Sequence, residues 1–171
     1  MSRQLSSFSL ASSLVLALAC NRPPPVPTVT LGPVDANTTT DLVADVVMGD
    51  DEDGDDVSLT YVWAVDGVER TDLAGATIPA TETAKGEQWS VYVIANDGRE
   101  AVTSPPSSLV IGNAPATASV VIAPSAPQSS VDLVATASGT DPDGDTLTFS
   151  YGWTRNGETT AIVGPVVPAA E

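Results

Sequence analysis

This sequence predicts an all-β chain built as two tandem β-sandwich modules, the second incomplete, and three observations carry that expectation. Short runs alternate apolar with polar residues, the period of a half-buried strand. Gly and Pro number 13 and 14 in a chain of 171 residues, and many of them stand in turn-like clusters, which favours many short strands over long helices. One unit occurs twice: an acidic loop, an alternating strand and a tight turn, at Asp51–Gly67 and, ninety residues on, at Asp141–Gly157.

The chain begins with an address. A basic start at Arg3 leads into mostly apolar or small residues from Leu5 to Ala19, centred on Leu14-Val-Leu-Ala-Leu. That run is short for a membrane-spanning helix, and residues 1–19 read as a secretory signal peptide. Residues 20–27 follow, where Arg22-Pro-Pro-Pro-Val-Pro27 predicts a stiff, extended spacer.

The first module takes residues 28–112. Thr28–Leu31 is a short strand stopped by Gly32-Pro33, and residues 38–48 hold a second. After the acidic loop comes the clearest strand, with Val57, Leu59, Tyr61, Trp63 and Val65 on one face, which is assigned to the core. Asp66-Gly67 allows a hairpin turn, because Gly tolerates positive φ. A return strand lies within residues 68–80, and residues 81–87 are loop-like. Gln88–Ala95 is another strand, with Trp89, Val91 and Val93 sharing a face; Trp89 starts that strand and is expected to be partly exposed. Asn96-Asp-Gly98 marks a turn, residues 99–103 return, and residues 108–111 close the module.

Residues 113–171 repeat this plan in part. Asp41-Leu-Val-Ala44 recurs as Asp132-Leu-Val-Ala135, and Leu147, Phe149, Tyr151 and Trp153 alternate as the second inward rib. Val167-Pro168 matches Ile78-Pro79, and nothing matches residues 88–111. The expectation is a sandwich short of two or three strands, with unpaired edges. A fragment of a longer protein, a truncated gene, or strands supplied by another chain would each account for it.

Asp and Glu number 22 against 6 Lys and Arg, so nucleic acid is excluded as a partner, since phosphate binding needs a basic surface. The chain has no His and one Cys. That excludes an intrachain disulfide, a His/Cys zinc site and a triad with a His base. There is no phosphate-binding Gly-rich loop, nucleophile elbow or metal-hydrolase motif, and no enzyme activity is expected. The acidic loops suit a cation. Calcium takes six to eight oxygens, and Asp51, Asp53 and Asp55, like Asp141, Asp143 and Asp145, stand at alternate positions. Gly54 and Gly144 let the loops bend. The first loop packs five carboxylates into six residues, and a divalent ion would relieve their repulsion. The expected affinity is weak, about 10⁻⁴ to 10⁻³ M. The same residues also form ordinary exposed turns, and turn roles are assigned to Asp66 and Asp97. Lys85, Arg70, Arg99 and Arg155 are scattered and make no anion site.

Two resemblances add to this reading. Ala17-Leu-Ala-Cys20 resembles the lipobox of bacterial lipoproteins, with Ala17 where Leu is usual. It implies lipidation of Cys20, secretion across the inner membrane and anchoring at a membrane surface, and Asn21 after the Cys favours the outer membrane. The Asp-x-Asp-Gly-Asp loops, Tyr61-x-Trp63 and Tyr151-x-Trp153, the Asp/Asn-Gly turns and Val91–Gly98 are similar to bacterial Ig-like surface modules of the PKD and cadherin-like types, over residues 24–171. PKD domains carry a longer Gly-Asp-Gly element after the Trp than is present here. The resemblance implies Ig-like sandwiches serving as spacers, adhesion modules or accessory domains of secreted hydrolases. The resulting expectation is a non-enzymatic cell-surface lipoprotein, a structural spacer or adhesion module with calcium-binding loops, meeting a membrane through its lipid and a cell-surface protein or glycan. Two alternatives stand beside it: a carbohydrate- or protein-binding accessory region of a larger secreted hydrolase, and the remnant of a truncated gene.

Overall fold

The computed structural model describes residues 20–169, so the signal peptide read at residues 1–19 lies outside the described residues. Among the described residues there are thirteen β-strands and a single 3₁₀ turn at Ala80–Glu82. The protein is all-β, with antiparallel sheets stacked as β-sandwiches. Among the described residues no helix is long and apolar enough to cross a membrane.

The first module holds β1 (Thr28–Gly32), β2 (Leu42–Val47), β3 (Ser58–Val65), β4 (Val68–Glu69), β5 (Thr77–Ile78), β6 (Gln88–Asn96), β7 (Ala101–Thr103) and β8 (Ser107–Val110). One sheet runs β1-β2-β5 and the other β4-β3-β6-β7, with β8 also on β6. The β3–β6 ladder is the backbone of the module, in register from Ser58 opposite Asn96 to Val65 opposite Trp89. Alternation puts Val29, Leu31, Leu42, Ala44 and Ile78 of one sheet against Trp63, Trp89, Val91 and Val93 of the other. The two indoles meet edge to face, with centroids 6.2 Å apart and planes at 69°, a favoured aromatic geometry.

Trp89 differs from expectation: it is fully buried. Leu109 of β8 lies opposite it, and its indole N–H donates to the Glu87 carboxylate at 3.0 Å. A residue near the start of a strand is covered when a later strand pairs beside it. The leader also differs from a free spacer, because Pro24 and Pro27 are buried against the module.

The second module holds β9 (Thr117–Ala123), β10 (Leu133–Thr140), β11 (Gly152–Arg155), β12 (Glu158–Val163) and β13 (Val166–Val167). Its sheet runs β13-β10-β9, and β11 pairs only with β12. The local chemistry of the first module recurs. The Trp63 indole donates to the Gly75 carbonyl at 3.0 Å and the Trp153 indole to that of Gly164 at 2.9 Å. The Asp41 carboxylate accepts the Ala80 N–H at 2.8 Å, and that of Asp132 accepts the Ala169 N–H at 2.6 Å. Both hairpins turn on a pair with positive φ, 50° and 81° at Asp66-Gly67 and 54° and 87° at Asn156-Gly157, the two-residue turn that matches strand twist.

The second rib is shorter and more open than its alternation predicts. Of the strand expected along residues 146–155, only Gly152–Arg155 is paired. The reason lies in the partner: β3 is held along its length by β6, and no described residue plays that part for residues 146–151. Phe149 is accordingly 41% exposed, and Trp153 is half-buried where Trp63 is fully buried.

Candidate cation loops and the inter-module junction

Both acidic loops are tied by their first Asp. Asp51 Oδ1 accepts the N–H groups of Asp53 (2.9 Å) and Asp55 (3.3 Å), and Asp141 Oδ1 those of Asp143 (2.8 Å) and Asp145 (3.2 Å). The carbonyls of Asp51 and Asp141 accept Gly54 and Gly144 N–H, both at 3.2 Å, and both glycines have φ of 76°. Short carboxylate side chains that hold their own backbone make such turns without any ion.

The middle Asp of each loop grips the chain that enters its own module. Asp53 Oδ2 accepts the Arg22 N–H at 2.6 Å, and Asp143 Oδ2 accepts the Ala114 N–H at 2.7 Å. Both donors sit in an Asn-x-Pro tripeptide, Asn21-Arg22-Pro23 and Asn113-Ala114-Pro115. The Asn-x-Pro tripeptide is thus a further element that occurs twice in the sequence.

The second loop also reaches the first module. The Thr38 hydroxyl donates to Asp143 Oδ1. Lys85 Nζ donates to both oxygens of Asp145, at 2.7 and 2.6 Å, and to Asn113 Oδ1 at 3.1 Å. Thr38 and Lys85 thus clasp the junction, and nothing in the local sequence marks either. The Thr38 hydrogen bond, helped by the Ala114 N–H, holds the Asp143 carboxyl below its ordinary 3.8. The hydrogen bond to Asp145 raises the Lys85 ammonium above its ordinary 10.5.

Asp141, Asp143 and Asp145 each bring a carboxylate oxygen within 4.8 Å of the others, the one such group of three among the described residues. Asp51, Asp53 and Asp55 do not converge in this way. Instead, the first loop's charges are spread over partners: Arg22 pairs with Glu52, and Arg99 lies 3.5 Å from Asp55. Its Asp51 Oδ2 is buried with no hydrogen-bond partner, the kind of orphaned oxygen a hard cation satisfies. The donor set of both loops, oxygen alone, fits calcium chemistry. In the second loop the Lys85 ammonium already neutralises the outer carboxylate.

Asp66 and Asp97 take the turn roles expected of them. Asp66 carries the hairpin's positive φ. Asp97 Oδ1 accepts the N–H groups of Arg99 and Glu100, both at 2.7 Å, and the Glu100 bond leads in holding its carboxyl below 3.8. Asp97 also accepts from Asn21 at 3.1 Å, which pins the leader one residue after the exposed, free Cys20. In comparisons with protein-family models, curated proteins and solved structures, nothing matches this chain.

Proposed function

We propose that this chain is a non-enzymatic, lipid-anchored cell-surface protein whose Ig-like modules act as a spacer or adhesion element, with calcium as a weak stiffening ligand of the acidic loops. The observation that carries this reading is the repeated grip of Asp53 and Asp143 on the entering backbone, at Arg22 and Ala114. A loop that fixes its module to the preceding segment would stiffen the chain there, as a spacer requires. Lipid on Cys20 would set the first module directly on the bilayer, because Asn21 and Arg22 are tied to that module.

Calcium at the first loop is supported by the orphaned Asp51 Oδ2. At the second loop it competes with Lys85. The test is a calcium titration of the full chain at constant ionic strength, read by melting temperature and Trp fluorescence. With a Kd near 10⁻³ M, calcium at ten times that value adds about 1.4 kcal/mol, a shift of several degrees. Asp51→Asn should abolish the part contributed by the first loop. A flat titration, or an equal response to magnesium, contradicts the calcium reading. Intact mass of the membrane-extracted protein should carry acyl chains that Cys20→Ser removes; an unmodified membrane-free protein contradicts the anchor.

A further inference from the structure

We propose that the Lys85 ammonium is a built-in cation of the second acidic loop: it takes the place a divalent ion would hold there and locks the two modules together without calcium. This rests on the reading of the acidic loops as cation sites and concerns the second loop alone. The two loops share one internal turn, tied by the first Asp and bent at a glycine with φ of 76°. Only in the second do three carboxylates gather within 4.8 Å of one another. Like charges that close repel, and a cation offsets them.

The second loop receives its cation from the first module. Lys85 Nζ donates to both oxygens of Asp145, at 2.7 and 2.6 Å, and to Asn113 Oδ1 at 3.1 Å. Those three acceptors match the three donors of an ammonium. Its charge also acts on Asp143 and Asp141. At the first loop the nearby cations come from the leader and from the module's own turn. Arg22 meets Glu52, and Arg99 stands 3.5 Å from Asp55; there the three alternate carboxylates stay apart. A divalent ion entering the second loop must displace the ammonium, because two cations would crowd one carboxylate.

The chain between the modules leaves Lys85 little room to swing away. The Ile111 N–H donates to the Glu87 carbonyl and its carbonyl accepts the Gly86 N–H, both at 2.9 Å. The Gly112 N–H donates to the Ala36 carbonyl at 2.8 Å. Ala114 is fully buried and donates to Asp143 of the second module. Lys85 itself stands on a turn closed by the Ala84 N–H on the Glu87 carboxylate at 2.8 Å. An exposed ion pair alone adds little. This one joins the Thr38–Asp143 hydrogen bond across a linker whose residues 111–114 each make a hydrogen bond.

The test reads the distance between the modules by fluorescence energy transfer in the full chain. Labels go on Val34→Cys and Val163→Cys, both exposed, with Cys20→Ser leaving only those thiols. The parent for this measurement also carries Asp51→Asn, which takes the first loop's calcium response out of the readout. At neutral pH it should show one narrow distribution, the same in EDTA as in calcium at ten times a Kd of about 10⁻³ M. Adding Lys85→Gln should broaden the distribution in EDTA. Calcium should narrow it again, half-way at about 10⁻³ M, a rescue that a merely structural lysine would not allow.

A parent distribution that calcium shifts overturns the proposal. So does a Lys85→Gln chain that matches the parent in EDTA, or a broadening that calcium does not reverse. The first loop can fail separately. A flat melting-temperature titration of the unsubstituted chain, with the Lys85→Gln rescue intact, removes calcium from the first loop and leaves this proposal standing. A calcium response at the first loop without that rescue overturns this proposal alone.

Discussion

Two indoles, Trp63 and Trp153, each donate to a turn carbonyl eleven or twelve residues away, and they differ only in what covers them. Trp63 is sealed by Trp89, while Trp153 is half-buried on an open groove. Truncation should therefore be unequal: Trp63→Ala costs about 3–5 kcal/mol of first-module stability, and Trp153→Ala costs the second module less than half as much, both by urea unfolding. Gly139 is a second point of leverage. A Cβ there would clash with the Thr117 carbonyl oxygen and lie 2.8 Å from Leu147 Cδ1. Backbone cannot retreat without breaking the β9–β10 ladder, so Gly139→Ala should destabilise the second module by more than about 1 kcal/mol, again by urea unfolding. Alternation exposed the inward faces of both indoles at once, whereas Gly139 looks like any small strand residue. Its role depends on Leu147 arriving from elsewhere in the fold.

At the level of elements, strands and turns were readable because their signals are local. The period of two marks β3 and β6, and Asp66-Gly67 and Asn156-Gly157 mark their hairpins. Strand length was not local: residues 147–151 alternate more cleanly than residues 57–65, yet they remain unpaired without a β6. The clasp was hidden for the same reason, since Lys85 and Asp145 are 60 residues apart. Its pH dependence follows from the two shifted groups. The Asp143 carboxyl is depressed in the folded state, so its contribution is full above 3.8 and is lost as pH falls through its lower folded value. Raised in the folded state, Lys85 contributes fully below 10.5 and loses that contribution as pH climbs through its higher folded value. A fluorophore pair spanning the two modules should report a narrow distance distribution between those limits and a broad one outside them. Lys85→Gln combined with Thr38→Val should broaden it at neutral pH. A distribution unchanged by the double substitution would show that the junction is held by other contacts.

Over the whole molecule, a net charge of −16 on 171 residues makes repulsion a general burden. Added sodium chloride should raise the melting temperature of both modules by screening, while the Asp51-dependent response remains specific to calcium. Composition made that burden plain, and the sequence itself shows the repeated unit. The spatial grip between each loop and its entering Asn-x-Pro segment required the folded chain.

Two copies of one β unit make up the described chain, the first closed and the second open along one edge. Native-state hydrogen exchange resolved along the two ribs tests this directly. Ser58–Val65 should be protected throughout, while residues 146–151 exchange freely and Gly152–Arg155 are protected by β12. Equal protection of residues 146–151 and Ser58–Val65, or none in either rib, would contradict it.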